Sequence, residues 1–189
     1  VINSTVTANT ATNSGGGVYA GLHDIDLTYA TVVGNIAPVG ANVELAFAAQ
    51  IASFASLIGE PLGGGQDCEI NVGATIVSGG ANVTSDSSCG LDTARALGPL
   101  TDNGGPPRPR LPQSSSPALD RADCALAGIV ADQRGVSRPQ GSACDSGAVE
   151  VALAGEATGT TSGADTPPRG GTGTARPATP VNLTPDLTG

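Results

Sequence analysis

The chain has no Lys, no Met and no Trp, and its eight basic residues are all Arg, with none before Arg95. Its formal net charge is −9. Binding to a phosphate backbone needs clustered Lys or Arg, so this composition argues against a nucleic-acid partner. The bias toward Arg, Ala, Gly, Val and Pro suggests a bacterial source with a GC-rich genome. Because there is no Met and the first residue already lies inside a repeat, we expect a truncated N-terminus.

Aromatic residues and long apolar runs are also scarce. The 189 residues include four aromatics, which are Tyr19, Tyr29, Phe47 and Phe54. Aromatic side chains normally fill much of a compact core. We therefore expect a solenoid that is filled by columns of Val, Ile, Leu and Ala. No apolar run reaches the roughly 18 residues that a spanning helix needs, so we expect no membrane span.

The four cysteines, Cys68, Cys89, Cys124 and Cys144, have no C-x-x-C spacing, and the chain has a single His. This pattern argues against a zinc site. Pairing in sequence order, Cys68 with Cys89 and Cys124 with Cys144, would close two loops and add roughly 3 kcal/mol each. Such disulfides imply an oxidising, extracytoplasmic environment. Four buried free thiols are the alternative.

A repeat with a step of about 25 residues runs through the first half of the chain. Its copies are "STVTANTA" (4–11), "ATVVGNIA" (30–37), "ASLIGEPL" (55–62) and "GANVTSDS" (80–87). We align the third copy at an offset of 25 from the second, which puts Glu60 in the place of the repeated Asn. In the fourth copy, Asp86 takes that place.

Other columns keep the same step and indicate short strands. They are Ile25, Ile51 and Ile76, and the triplet 43–45 over the triplet 68–70, which sets Glu44 over Glu69. Apolar–polar–apolar triplets are typical of strands with alternate residues facing inward. Stacked once per coil at about 4.8 Å, they predict an all-β, right-handed parallel β-helix. A leucine-rich repeat has a similar length but needs a regular Leu pattern, which is absent.

The composition changes after about residue 92, where Pro and Gly become frequent and the repeat stops. We predict β-helix coils in 1–92, an irregular C-terminal cap in 93–151 and a disordered tail in 152–189. The tail is almost entirely Gly, Thr, Pro, Ala and Ser, so it has too little apolar area to offset its chain entropy.

Two stretches of the second half resemble a known family. "LGPLTDNGGPPRPRLPQSSSPALD" (97–120) and "DQRGVSRPQGSACDSGAVE" (132–150) are similar to the C-terminal module of bacterial proteins with the choice-of-anchor Q domain. The coil motif "NSTVTANTA…GGGVY" fits the same family. The departures are Arg110, where members commonly have His, and Ser146 and Val149, which replace larger apolar residues. The resemblance covers roughly residues 1–151 and implies a pectin-lyase-like β-helix, secretion and attachment to the cell surface.

The charged residues of 132–150 have two interpretations. Asp132 and Asp145 with Arg134 and Arg138 could form a carbohydrate-active site, since pectin-lyase-like enzymes use paired Asp, or Ca²⁺-binding carboxylates with an Arg. In those enzymes, however, the groups project from strands of the central coils. Here they lie in a Pro- and Gly-rich segment beside a predicted disulfide. We therefore interpret these four residues as salt bridges of a cap that covers the open end of the helix.

The coils offer a second candidate site at Glu44 and Glu69, which the repeat places about 5 Å apart as a Ca²⁺ or acid/base pair. Because residues 1–94 contain no Lys or Arg to complete a catalytic set, we favour a solvated acidic face and predict no cofactor. His23 beside Asp24 is interpreted as a turn residue. The acids expected to face outward are Asp24, Asp26, Glu44, Glu60, Asp67 and Glu69.

These features favour a non-catalytic, monomeric module, secreted or on the cell surface, with a structural or adhesive role. Its partner would be a glycan, matrix or another cell. The first alternative is a carbohydrate-active, pectin-lyase-like enzyme, a polysaccharide lyase or glycoside hydrolase whose active groove lies in missing coils. A pure spacer is the second alternative.

Overall fold

The chain folds into a parallel β-solenoid in which strands of successive coils pair side by side. The computed structural model describes residues 1–92, 97–100 and 110–151. Pairing partners lie one repeat apart, as for Ile25 with Ile51 and Gln50 with Thr75. Almost all regular elements of the described residues are strands. The predicted all-β solenoid is confirmed, with about three coils.

Each coil contributes one strand to each of three parallel sheets. Sheet I contains β1 (Thr5–Thr7), β4 (Thr31–Val33), β7 (Leu57–Gly59) and β10 (Val83–Thr84). Sheet II contains β2 (Val18–Ala20), β5 (Val43–Leu45) and β8 (Cys68–Ile70). Sheet III contains β3 (Ile25–Thr28), β6 (Gln50–Phe54) and β9 (Thr75–Gly80). An antiparallel pair follows, formed by β11 (Leu97–Leu100) and β12 (Arg110–Pro112).

The strand register confirms two predicted columns and corrects a third. The confirmed in-register partners are Ile25, Ile51 and Ile76 in sheet III, and Glu44 with Glu69 in sheet II. In sheet I, Val32 pairs with Ile58 and not with Leu57. The predicted alignment of the third copy of the repeat was therefore wrong, by one position.

Corners with a left-handed residue explain this one-residue error. Sheet I is entered through Asn3, Tyr29, Ala55 and Ala81, with φ between 47° and 55°, and is left through Ala8, Gly34 and Glu60, with φ between 47° and 65°. Glu60 therefore lies in the column of Gly34 and not in that of Asn35. A left-handed conformation costs a non-Gly residue roughly 1–2 kcal/mol, so sequence patterns mark such corners mainly where Gly or Asn occurs.

The core between the three sheets is a stack of small aliphatic side chains. The inward residues with at most 1% exposure include Leu27, Val32, Val43, Leu45, Ile51 and Ile58. Each buried Val, Leu or Ile contributes about 1.5–3 kcal/mol from the removal of apolar surface from water. No aromatic ring takes part in this cluster of the described residues, which agrees with the columns predicted from the composition.

Residues 85–92 close the last coil. Cys89 and Leu91 pack against the aliphatic core. Among the described residues, no further strand pairs with the outer edge of β8, but the Cys68 amide on that edge donates a hydrogen bond to Ser88 Oγ at 2.9 Å. The disulfide between Cys68 and Cys89, with Cα atoms 5.0 Å apart, ties this closing turn to sheet II.

The segment 113–151, which we call the strap, lies along the flank of the solenoid. It crosses the coils one after another, because Ser146 Oγ donates to the Ala81 carbonyl, the Gly147 amide to the Ala55 carbonyl and the Ala148 amide to Thr31 Oγ1. All described residues belong to one compact unit. The cap of 93–151 stays a prediction; in the described residues, 85–92 closes the last coil and the strap contacts the side of sheet I.

The strap buries the outer face of sheet I and the corner that leads into it. Thr31, Leu57 and Val83 face outward from sheet I but are at most 4% exposed, and Leu57 and Val83 cluster with Ala118 of the strap. At the corner, Tyr29 packs with Cys144.

The second predicted disulfide, between Cys124 and Cys144, lies within the strap. Cys124 is the first residue of helix α1 (Cys124–Ala127). The Cα atoms of the two cysteines are 5.3 Å apart. Both predicted pairings are therefore present. The predicted tail, 152–189, lies outside the described residues.

Candidate functional site

The charged residues of the strap form two buried ion pairs. Arg134 Nη2 lies 2.7 Å from Asp132 Oδ2, and Arg138 Nη1 lies 2.7 Å from Glu150 Oε2. Asp132, Arg138 and Glu150 are at most 7% exposed. Glu150 did not emerge as a partner from the sequence, because the spacing of residues in an irregular segment does not show which side chains meet.

Asp145, the fourth predicted cap residue, is bound by backbone amides. Its carboxylate accepts hydrogen bonds from the amides of Asp120 at 2.8 Å and Val151 at 2.7 Å. Arg138 reaches only the Asp145 carbonyl oxygen, at 3.1 Å. Burial raises the pKa of Asp145 to about 6, although both amide hydrogen bonds favour the charged form.

The pKa of Asp132 is shifted in the opposite direction to that of Asp145. Its burial by itself would raise the pKa, but hydrogen bonds from the Glu150 amide and the Arg134 guanidinium outweigh that effect and lower it. Its Oδ1 also accepts hydrogen bonds from the amides of Arg134 and Val136. Asp132 therefore organises the turn 132–136, and both of its carboxylate oxygens accept hydrogen bonds from residues of the strap.

Arg138 joins the strap to the first two coils. Its guanidinium lies 4.3 Å from the ring centroid of Tyr29, and Nη2 donates to the Gly147 carbonyl at 2.8 Å. The same nitrogen is 3.4 Å from Asn3 Oδ1. Asp132, Arg138 and Glu150 are thus buried within the strap and against the coils, a geometry that suits closure of a scaffold.

Inside the solenoid, a ladder of polar side chains follows the turns between sheets I and II. Asn35 Nδ2 donates to Asn42 Oδ1 at 3.0 Å, and Asn42 Nδ2 donates to Asp67 Oδ1 at 3.1 Å. Asp67 is fully buried and accepts from the Ser85 hydroxyl. The expectation that Asp67 faces outward was therefore wrong. Desolvation raises its pKa, and the Ser85 hydrogen bond opposes that rise.

Glu44 and Glu69 extend from the outer face of sheet II, but they are not equally solvated. Glu69 is partly buried, whereas Glu44 is only 8% exposed. Glu44 Oε1 accepts from Asn71 Nδ2 at 3.2 Å, and Oε2 is buried without a hydrogen-bond partner. The predicted solvated acidic face therefore does not describe Glu44. His23 and Asp24 are both exposed in a turn.

The corner between sheets II and III carries one exposed apolar side chain in each coil. Leu22, Phe47 and Val72 occupy the equivalent turn of each coil, two residues beyond the in-register residues of sheet II. Their exposed fractions are 78%, 63% and 100%. In the turns 46–49 and 71–74, amide-to-carbonyl hydrogen bonds across the turn hold Phe47 and Val72 outward. We call these three residues the apolar ridge.

Polar and aromatic side chains flank the apolar ridge. Tyr19 of sheet II is 53% exposed, and Gln50 and Thr75 are exposed on sheet III. Two of the four aromatic residues of the chain are thus presented to solvent on this side. The other two, Tyr29 and Phe54, pack edge to face in the cluster beneath the strap, with ring centroids 5.8 Å apart.

Neither a three-ligand metal cluster nor a membrane-spanning helix occurs in the described ranges. Within residues 1–92, 97–100 and 110–151, no group of three or more His, Cys, Asp or Glu side chains is placed to hold a metal ion. In the same part of the chain, no helix has the length and apolar character needed to cross a membrane.

Comparison of the chain with models of protein families, with curated proteins and with solved structures finds no match in any of the three.

Proposed function

We propose that this protein is a non-catalytic module, displayed outside the cell, that binds glycans through the side of the solenoid bearing the apolar ridge. The observation that carries the proposal is the stack of Leu22, Phe47 and Val72, one exposed side chain per coil. An exposed apolar patch on a folded protein is often an interaction site.

The arrangement of the three sheets supports this assignment. Sheet I is covered on its outside by the strap, so it offers no lateral surface. Sheet III presents exposed Gln50, Ala52 and Val77, and it meets sheet II at the apolar ridge. The rigid coils repeat these positions at intervals of about 4.8 Å, which suits an extended ligand lying along the solenoid axis.

The chemistry of the surface favours a polysaccharide over a flat protein partner. Tyr19 and Phe47 provide aromatic faces on which the apolar faces of sugar rings can pack. Gln50, Thr75 and the partly buried Glu69 provide polar groups for ring hydroxyls. Phe47 also has a positive φ of 55°, an uncommon conformation for a bulky residue, and its backbone holds the ring away from the core.

The environment and the family belong to the same proposal. Two disulfides fit an oxidising compartment, and we infer that the protein is secreted or held at a bacterial cell surface. We also infer that the strap is a C-terminal module of the choice-of-anchor Q type. The resemblance of 97–120 and 132–150 to that family supports this inference.

A glycan and polysaccharide array, probed with the purified protein, tests the proposal. It is scored both for retained protein and for new reducing or unsaturated ends. We expect retention without cleavage. Cleavage would instead favour a carbohydrate-active enzyme of the pectin-lyase-like class and would overturn the non-catalytic assignment.

A matched pair of variants locates the binding surface. Phe47→Ser with Val72→Ser removes two side chains of the apolar ridge, and Leu126→Ser with Val130→Ser removes two exposed side chains of the strap, at 69% and 77% exposure. We expect the ridge variant to lose at least tenfold in affinity, about 1.4 kcal/mol, with little change in Tm. Equal binding by the two variants would rule out the apolar ridge as the contact surface.

A further inference from the structure

We propose that the ligand of the apolar ridge is a polysaccharide of amino sugars that carry free ammonium groups. This inference rests on the proposed glycan binding and names the class of glycan. It is carried by the carboxylates on both sides of Leu22, Phe47 and Val72, in a part of the chain without Lys or Arg. Such a surface selects its partner by charge, because it attracts cations and repels anions.

Asp24 and Asp26 provide the carboxylates on the sheet III side of the apolar ridge. Both residues are exposed, and Asp24 follows the turn that carries Leu22. Asp24 Oδ1 accepts a hydrogen bond from the Gln50 amide at 2.9 Å, which holds this carboxylate at the edge of the second coil. Asp26 pairs in register with the exposed Ala52. This side therefore presents two solvated negative charges next to uncharged side chains.

Glu69 provides the negative charge on the sheet II side. It lies on the outer face of sheet II in one column with Tyr19 and Glu44. Tyr19 is 53% exposed and Glu69 is partly buried, whereas Glu44 is 8% exposed and bonded to Asn71. We therefore assign an aromatic face and one carboxylate of this column to the ligand, and leave Glu44 out of the contact.

The charge of the coils argues against an acidic polysaccharide. Residues 1–92 contain eight acidic residues and no Lys or Arg. The ion pairs of Arg121, Arg134 and Arg138 all lie away from the apolar ridge. A polymer of uronic acids on this surface would bring carboxylates toward carboxylates, and the repulsion would weaken binding. An ammonium group would instead donate charge-assisted hydrogen bonds, which are stronger than those between neutral groups.

The apolar ridge and the acids suit different parts of the same ligand. Tyr19 and Phe47 offer aromatic faces to the apolar faces of sugar rings, and the acids lie where the polar substituents of those rings would project. Asp24 and Asp26 belong to the first coil and Glu69 to the third, about 10 Å away along the axis, or two strand spacings. A ligand with an ammonium group on successive sugars can reach both ends of this surface.

Three hexasaccharides of different charge test the inference in calorimetry with the full chain. They are the β-1,4-linked hexamers of glucosamine and N-acetylglucosamine and a hexamer of galacturonic acid. We expect the glucosamine hexamer to bind roughly tenfold more tightly than its acetylated counterpart, and the galacturonate not to bind. Raising NaCl from about 20 mM to about 500 mM should remove most of this preference, because the Debye length falls to a few ångströms.

Asp24→Asn and Asp123→Asn are matched variants for locating the charge. Each removes one exposed carboxylate and keeps the Oδ1 atom that accepts a backbone amide, and Asp123 lies on the strap. We expect Asp24→Asn to weaken binding of the glucosamine hexamer about two- to fivefold and Asp123→Asn to leave it unchanged. Equal weakening in both variants would show that the net charge of the protein attracts the ligand, and would overturn the inference.

Failure of this inference and failure of glycan binding give different results. Equal affinity for the glucosamine and N-acetylglucosamine hexamers, or tighter binding of the galacturonate, would overturn the ammonium assignment and leave the apolar ridge as a glycan site. Retention of another glycan on the array without any binding of the glucosamine hexamer would have the same meaning. An array that retains no protein at all would overturn the proposed function, and this inference with it.

Discussion

The coils in 1–92 and the strap in 113–151 are stabilised in different ways. The coils contain no Lys or Arg and rely on backbone ladders that repeat once per coil around a small aliphatic core. The strap has no regular ladder with the coils and relies on individual side-chain contacts, above all the buried pair of Arg138 and Glu150. A repeated backbone pattern thus tolerates weakly specific side chains, whereas an irregular segment depends on a few specific ones.

The difference extends to the sequence distance that each contact spans. Coil contacts join neighbours in the repeat, but strap contacts close much longer loops, such as Thr5 Oγ1 to Gln133 Oε1 across 128 residues. A solenoid held only by nearest-neighbour contacts can fray from its ends. Because the strap contacts the first, second and later coils, we expect it to make their unfolding cooperative.

The largest expected effect comes from breaking the strap's buried ion pair. Arg138→Ala leaves Glu150 charged and unpaired at 1% exposure, so we expect a loss of about 3–5 kcal/mol in the free energy of unfolding. Urea denaturation measures it. The control is Arg121→Ala, whose partner Asp92 is largely solvated, with an expected loss below about 1 kcal/mol. Equal losses in the two variants would contradict the special role of the buried pair.

Removal of each disulfide should destabilise the region in which that disulfide lies. The two bridges close loops of nearly equal length, 21 and 20 residues, so chain entropy predicts similar losses of about 2–4 kcal/mol. The location of the effect should differ. Replacing Cys68 and Cys89 by Ala should speed hydrogen exchange in 85–92, and replacing Cys124 and Cys144 should speed it in the strap. Faster exchange in the same region for both variants would contradict this division.

The smallest expected effect is a pH dependence that arises in the strap and not in the coil ladder. The folded-state pKa of Asp145, about 6, lies above the ordinary value of 3.8, so the folded protein binds the proton more tightly. Its contribution to stability is therefore present below about pH 4 and is lost as the pH rises through about 6, by roughly 1–3 kcal/mol. Asp132, whose pKa is lowered, contributes in the opposite sense and loses its contribution at lower pH.

Asp145→Asn tests this dependence through its slope rather than its absolute stability, since the substitution also replaces an acceptor of backbone amides. Urea denaturation between about pH 4.5 and about pH 7 should show a smaller decline in the variant than in the wild type. Identical slopes would show that Asp145 does not titrate in this range.

The regular parts of the molecule could be predicted from sequence because their signals are periodic. The apolar–polar–apolar triplets and the nearly constant step from Ile25 to Ile51 to Ile76 predicted short strands and their pairing. Both disulfides followed from pairing in sequence order. Wherever a pattern repeats, several copies support the same alignment, and a single degenerate copy shifts it only locally.

The remaining features depended on contacts that spacing does not show. The left-handed corner at Glu60 lacks a Gly or Asn, which allowed the one-residue error in sheet I. Asp67 has the sequence context of an exposed acid, but hydrogen bonds from Asn42, Ser85 and Asp86 satisfy its buried carboxylate. The position of the strap beside the coils depends on contacts such as Arg138 with Tyr29 and Ala148 with Thr31.

Hydrogen–deuterium exchange tests most directly whether the coils provide the contact surface. Exchange is compared for the protein alone and for the protein saturated with a polysaccharide that binds it on the array. Peptides that contain Leu22, Phe47 and Val72 should be protected when the ligand is bound, and peptides of the strap should exchange at unchanged rates. This result would show that the coils provide the contact surface and the strap holds them in place. Protection confined to the strap, with unchanged exchange around the apolar ridge, would contradict that division of roles.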